Sequence, residues 1–215
     1  LFIAVADVPL DRYGESAINA NLSKLDWVSR AAVAHEAIVE SFIAAIAVLP
    51  MKLFTIFTSD DRAIDHVRGQ RTRIRALVKQ VAHHQEWGVR VALDRTRAAA
   101  ALSKKAAARS ATGASYLAGK KAQRDASKEL ASRGRETVAG LFDRLSAVSG
   151  DAKRRTASEL PAQGGPLLLD AAFLVPRARA SAFGKRVARE AGSLARQGYD
   201  LTITGPWPPY TFVQD

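Results

Sequence analysis

An α+β fold in two domains is predicted for this chain of 215 residues. Three features carry the prediction. Glu86 to Leu93 alternates with a period of two, Trp87, Val89, Val91 and Leu93 on one side and Glu86, Gly88, Arg90 and Ala92 on the other, as in a half-buried strand. Apolar residues recur every three or four positions from Leu25 to Ala47 and again from Ile64 to Val81, which marks two amphipathic helices. At residue 95 the composition turns alanine-rich, basic and free of proline as far as 149. Residues 1–94 and 95–215 are therefore predicted as separate α+β domains.

The elements follow in order. Leu1 to Asp7 alternates like a strand and is closed by Pro9 and Gly14. The helix over 25–47 carries Val28, Ala32, His35, Val39, Phe42 and Ile46 on one stripe, with Asp26 in its first turn. Val48 to Phe57 is apolar on both faces, as in a strand covered on both sides, and Pro50, lacking an N–H, belongs at its start or beside an unpaired edge. Ser59 with Asp60 and Asp61 opens the next helix. After residue 95 two helices are expected with Gly113 between them, the longer one packing through Leu130, Val138, Leu141, Leu145 and Val148. Two prolines, three glycines and a basic cluster make about 149–166 a loop. Leu167 to Val175 reads as a strand, Pro176 to Gln197 as a helix through Phe183, Val187, Ala191 and Leu194, and Tyr199 to Thr204 as a last strand. Long basic helices and a Pro/aromatic tail thus characterise the second domain.

Composition removes most chemistry. Hydrophobic residues make up 47% and charged residues 25%, which excludes disorder throughout. With no cysteine there are no disulfides, thiolate nucleophiles or cysteine-type zinc sites. The uncharged run Ser41 to Met51 is eleven residues and the longest, Leu201 to Gln214, is fourteen with three prolines, both too short to cross a bilayer. His83 and His84 are adjacent and cannot face one metal from one helix, and His35-Glu36 lacks the second histidine of a zincin motif. Gly113 to Lys121 imitates a phosphate loop, but five residues separate its glycines where four are required, and Lys121 stands in place of Ser or Thr. No catalytic, cofactor-binding or metal-binding set is assigned, and the chain is read as a non-enzyme.

The net charge of +11 concentrates in Arg95 to Arg155, with fifteen basic and five acidic residues. Such a segment is either a solvated helical face or the footprint of a nucleic-acid-binding module. Tyr116 and Phe142 are its only aromatic residues, a poor set for stacking on bases. At the end of the chain Pro206, Pro208 and Pro209 stiffen a strip that presents Trp207, Tyr210 and Phe212. A strip of this kind latches onto its own domain or docks on a partner.

Three segments together resemble the gas vesicle protein GvpL/GvpF family: Val48-Leu-Pro-Met-Lys-Leu-Phe-Thr-Ile-Phe57, Glu86-Trp-Gly-Val-Arg-Val91, and Leu201-Thr-Ile-Thr-Gly-Pro-Trp-Pro-Pro-Tyr-Thr-Phe-Val213. Asp26-Trp27 with His35-Glu36, Gly113 to Leu117 and Ala171 to Pro176 add weaker support, and the matches run in order across nearly the whole chain. The positions carried by the resemblance are Trp27, Pro50, Glu86, Trp87, Gly88, Tyr116, Gly205, Pro206, Trp207, Pro208, Pro209 and Tyr210, all given a structural role. The chain departs from the pattern at Lys52, Leu53 and Phe54, where Arg-Phe-Gly is usual. The family's opening strand is not found before Leu1, which leaves an edge of the expected N-terminal sheet open.

The resemblance implies a modified ferredoxin-like N-terminal domain, an α+β C-terminal domain and a non-enzymatic role in gas vesicle assembly in the prokaryotic cytoplasm. It also implies contact with the hydrophobic shell protein and other gas vesicle accessory proteins, no cofactor, no membrane insertion and no nucleic acid. Lys52, Leu53, Phe54 and Thr55, beside the open edge, are the candidate contact with the shell protein.

Overall fold

Residues 1–81 build helices rather than the predicted alternation of strands and helices. The computed structural model describes residues 1–100, 116–155 and 165–213, with the side chains of 116–129 and 131 outside the description. Two compact units divide the chain: Leu1–His84 with Trp207–Asp215, and Gln85–Pro206. The strand Glu86 to Leu93, placed by sequence in an N-terminal domain of 1–94, lies in the second unit.

The first unit contains α1 (Leu10–Tyr13), α2 (Glu15–Asn21), α3 (Leu25–Ser41), α4 (Asp60–Gly69) and α5 (Arg71–Val81). Neither Leu1–Asp7 nor Val48–Phe57 forms a strand, so a ferredoxin-like sheet is not what residues 1–94 build. The physical reasons are local. Leu1, Phe2 and Val5 stay exposed with no ladder beside them. In the second segment the Thr55 N–H donates to the Lys52 carbonyl at 3.1 Å, and Phe54 turns to φ 62°, which breaks an extended run. The helix expected to reach residue 47 ends at Ser41, where the Phe42 N–H bonds back to Val39 at 3.2 Å. The next helix starts as expected: the Ser59 hydroxyl accepts from the Arg62 N–H at 3.3 Å, and Asp60 and Asp61 sit against the positive helix end. It is interrupted at Gln70, immediately after Gly69.

The second unit holds one sheet of β1 (His84–Leu93), β2 (Asp151–Arg154), β3 (Leu167–Pro176) and β4 (Tyr199–Trp207), in the order β2-β3-β1-β4. β2 runs antiparallel to β3, with Asp151 opposite Leu174 and Arg154 opposite Ala171. The Leu93 N–H donates to Pro166 at 3.0 Å and the Asp94 N–H to Gly198 at 2.9 Å. The end of β1 thus meets the start of each neighbour, which makes it antiparallel to both. A helix beginning at Arg95 and α6 (Tyr116–Ser146) lie between β1 and β2, and α7 (Ala180–Ala195) lies between β3 and β4. The connectivity is the split β-α-β-β-α-β arrangement. The expected break at Gly113 lies outside the described residues.

β2 falls inside the segment predicted as a loop. Its sequence, Asp-Ala-Lys-Arg, has no apolar alternation to announce it, and its Lys153 and Arg154 are the charges that keep an outer strand from pairing further.

Sheet and helices share one apolar layer. Val89, Val91 and Leu93 of β1 and Leu169, Ala171, Phe173 and Val175 of β3 are buried together with Val138, Leu141 and Leu145 of α6 and Phe183, Val187 and Leu194 of α7. Arg144 of α6 grips Glu190 of α7 with two hydrogen bonds of 2.9 and 2.8 Å. That grip holds the Glu190 carboxyl below its ordinary range and raises the Arg144 guanidinium. Among the described residues no helix is long and apolar enough to cross a membrane.

The chain then returns to the first unit. β4 ends at Trp207, Pro208 and Pro209 are buried, and α8 (Tyr210–Val213) buries Phe212 and Val213. The Arg73 guanidinium of α5 donates to the Val213 carbonyl at 3.4 Å. The proline-rich tail is therefore docked on its own chain rather than presented to solvent.

Candidate functional site

The turn at Lys52–Thr55 is held twice, because the Thr55 hydroxyl also donates to the Lys52 carbonyl, at 2.6 Å. Within it Lys52 and Thr55 are exposed and Leu53 and Phe54 are half-buried, while Pro50 just before it is buried. The Phe54 ring stacks on Trp27 of α3, with centroids 5.1 Å apart and planes 16° apart, and Trp27 lies 5.9 Å from Tyr13. The structure thus brings the candidate contact turn together with Trp27, one of the positions singled out by resemblance.

Phe54 stands where the resembled pattern has glycine, in a backbone conformation that suits glycine. Its φ of 62° is one that glycine adopts freely and a bulky residue adopts at a cost of about 1–2 kcal/mol. The ring's stacking on Trp27 offsets part of that cost, since an aromatic pair contributes about 0.5–1.5 kcal/mol beyond its buried area. Phe54→Gly is therefore expected to be more stable than Phe54→Ala by about 1 kcal/mol, although alanine is ordinarily the more favourable residue. Denaturant unfolding of the two variants checks this; an alanine variant equal to or better than glycine removes the backbone account.

The Glu86-Trp87-Gly88 positions lie in the second unit and point to both faces of β1. Trp87 packs against the apolar layer, 6.3 Å from the Phe183 ring, with its indole nitrogen buried and unpaired among the described residues. Glu86 is buried on the opposite face with Asp170. The Arg155 guanidinium meets Asp170 Oδ1 through Nε and Nη2, each at 2.8 Å, and Nη1 lies 3.8 Å from Glu86 Oε1. Arg90 Nε completes the cluster at 3.1 Å from Asp170 Oδ2. Gly88 leaves the room it needs: a Cβ there would lie 2.5 Å from Thr204 Oγ1 and 3.0 Å from Arg155 Nη2.

Gly205 takes φ 115°, and the Gly205–Pro206 peptide is cis. Trp207 and Tyr210 are half-buried, between the buried Pro208, Pro209 and Phe212. Tyr116 opens α6, and its side chain lies outside the described residues. No group of three or more histidine, aspartate or glutamate side chains gathers in a metal-binding arrangement among the described residues.

Sequence reasoning did not find Arg90, Arg155 and Asp170 as a cluster. Nor did it find how the apolar surface is distributed. Of fourteen exposed large hydrophobic residues among those described, thirteen lie between Leu1 and Ile64, and the other is Ile203.

The family model for the gas vesicle synthesis protein GvpL/GvpF matches residues 1–214. Gas vesicle protein L of Streptomyces sp. (strain CB03234) is 29% identical over 209 residues, covering 96% of this chain and 77% of that protein. The crystal structure of the gas vesicle protein GvpF from Anabaena sp. PCC7120 superposes with a TM-score of 0.66 at 18% identity, over 86% of this chain and 78% of that one. GvpF from Microcystis aeruginosa gives 0.60 at 13% identity, over 90% and 80%. At these identities the two crystal structures speak for the α+β fold alone, and the whole-chain match carries the assignment: the chain belongs to the GvpL/GvpF family of gas vesicle proteins.

Proposed function

We propose that the protein acts in gas vesicle assembly by holding the hydrophobic shell protein on the apolar surface of its first unit. The observation behind this is the crowding of thirteen of the fourteen exposed large hydrophobic residues into Leu1 to Ile64. So many exposed large hydrophobic residues in one unit offer material for a protein-binding face. Phe42 and Ile46 contribute 46% and 63% of their area to solvent at the end of α3. The Lys52–Thr55 turn remains the candidate contact, now through its side chains, because the segment has no strand edge to offer. The protein acts without catalysis, in the prokaryotic cytoplasm, together with other gas vesicle accessory proteins. The alternative of a nucleic-acid-binding segment at 95–155 gains nothing from the family, and much of that segment lies outside the described residues.

Lys52→Glu and Phe42→Glu/Ile46→Glu place negative charge on exposed positions and are expected to weaken capture of purified shell protein by about tenfold or more, with unchanged thermal unfolding. Deleting residues 205–215 is expected to lower the unfolding temperature first, because Phe212 and Val213 leave a core. If the deletion abolished capture at unchanged stability, the tail would be the docking element. Full capture by both charge variants would remove the first unit from the contact.

A further inference from the structure

We infer that the arginine-flanked groove on α4 and α5 is a docking site for an acidic amphipathic helix of a partner protein. The groove has a volume of about 530 Å³ and is lined by half-buried Val67, Ile74 and Val78, which make its floor, by exposed Arg68, Arg71 and Arg75, and by exposed Leu1. Arg71, Ile74, Arg75 and Val78 stand at i, i+3, i+4 and i+7, so they share one face of α5. Arg73, on another side of α5, donates to the Val213 carbonyl within its own unit, and Val81, one turn beyond Val78, is buried at the end of the groove face.

The charge on this face has no local explanation. Arg71 stands in the first turn of α5, which holds no acidic residue, so its cation opposes the helix dipole. Arg71 and Arg75 form a like-charged i,i+4 pair, which costs a few tenths of a kcal/mol. Neither has a carboxylate partner among the described residues, and Arg68 has an exposed contact with Asp65 at 3.5 Å. An incoming row of carboxylates relieves both costs at once.

The floor decides which anion fits. Phosphates of a nucleic acid would meet the arginines but leave Val67, Ile74 and Val78 without an apolar counterpart, and the groove has no aromatic ring on which bases could stack. A lipid surface is bound by protruding apolar anchors, whereas this floor is recessed between arginines. A helix with an apolar stripe and glutamates along its borders satisfies floor and rim together, and α5 is long enough, at about 16 Å, to hold two to three of its turns. Apart from Leu1, this surface uses residues other than those proposed above for the shell protein, and it stands or fails without that contact.

The test uses the full chain and a fluorescein-labelled synthetic helix of about 18 residues, with leucines at i, i+3, i+4 and i+7 spacing and glutamates on both borders. Fluorescence anisotropy is expected to show saturable binding that Arg71→Glu/Arg75→Glu weakens about tenfold, with thermal unfolding unchanged. The same double variant is expected to gain affinity for a lysine-bordered version of the helix. Should the reversal perturb folding, Arg71→Gln/Arg75→Gln supplies the same comparison. The inference is overturned if the wild-type chain does not bind the glutamate helix, if it binds the lysine helix equally well, or if the double variant is indifferent to either. It is also overturned if duplex DNA or phosphatidylglycerol vesicles bind more tightly than the helix and lose that binding in the double variant.

Discussion

Alanine in place of Phe173 is expected to reduce the unfolding free energy by about 3–5 kcal/mol, a large part of the stability of an ordinary domain. Phe173 is fully buried on β3, with its ring 5.6 Å from that of Phe142 on α6 and 5.7 Å from that of Phe183 on α7. It is the ring through which sheet and both helices meet, so its removal opens a cavity between three elements that cannot all close upon it. Urea unfolding followed by circular dichroism measures the effect. A loss below about 1 kcal/mol would mean that the layer collapses around the missing ring.

Arg155→Met is the second large effect, at about 3 kcal/mol. The guanidinium carries much of the charge balance for Asp170 and Glu86, whose side chains are only 3% and 4% exposed. Without it Asp170 keeps Arg90, and Glu86 loses the Arg155 guanidinium 3.8 Å away. Removing one partner from a buried charge cluster costs about 3–5 kcal/mol, and the lower end applies because Arg90 remains. Adding Asp170→Asn to Arg155→Met is expected to cost clearly less than the sum of the single changes, since the second substitution discharges the carboxylate stranded by the first. Additive single and double variants would show that the pair is not coupled.

The second unit was largely legible in the sequence. β1 and β3 carry apolar runs, and α6 and α7 bury the stripes their spacing marks, at Val138, Leu141 and Leu145 and at Phe183, Val187 and Leu194. The Arg155 cluster was not, because its members are 15 and 80 residues from Asp170. One signal pointed to it: Asp170 interrupts an otherwise apolar strand, and a charge in such a place requires a partner. In the first unit the same periodicity misleads. Phe42 and Ile46 continue the stripe of α3 in sequence, yet the helix has ended by Ser41 and both side chains face solvent. Hydrophobic spacing cannot distinguish a residue that packs inside from one that faces solvent.

The chain leaves the first unit at His84 and re-enters it at Trp207, so the first unit is discontinuous and the second is inserted within it. On the ribosome this imposes an order. Phe212 and Val213, part of the buried interior of the first unit, emerge only after all of the second, which spans about 120 residues. At roughly 5–20 residues per second the wait is about 6–25 s. The inserted unit can finish folding during translation, whereas the apolar unit must wait with its interior incomplete. The unit that carries most of the exposed apolar residues is therefore completed last, and until then it is itself a nascent chain in need of protection.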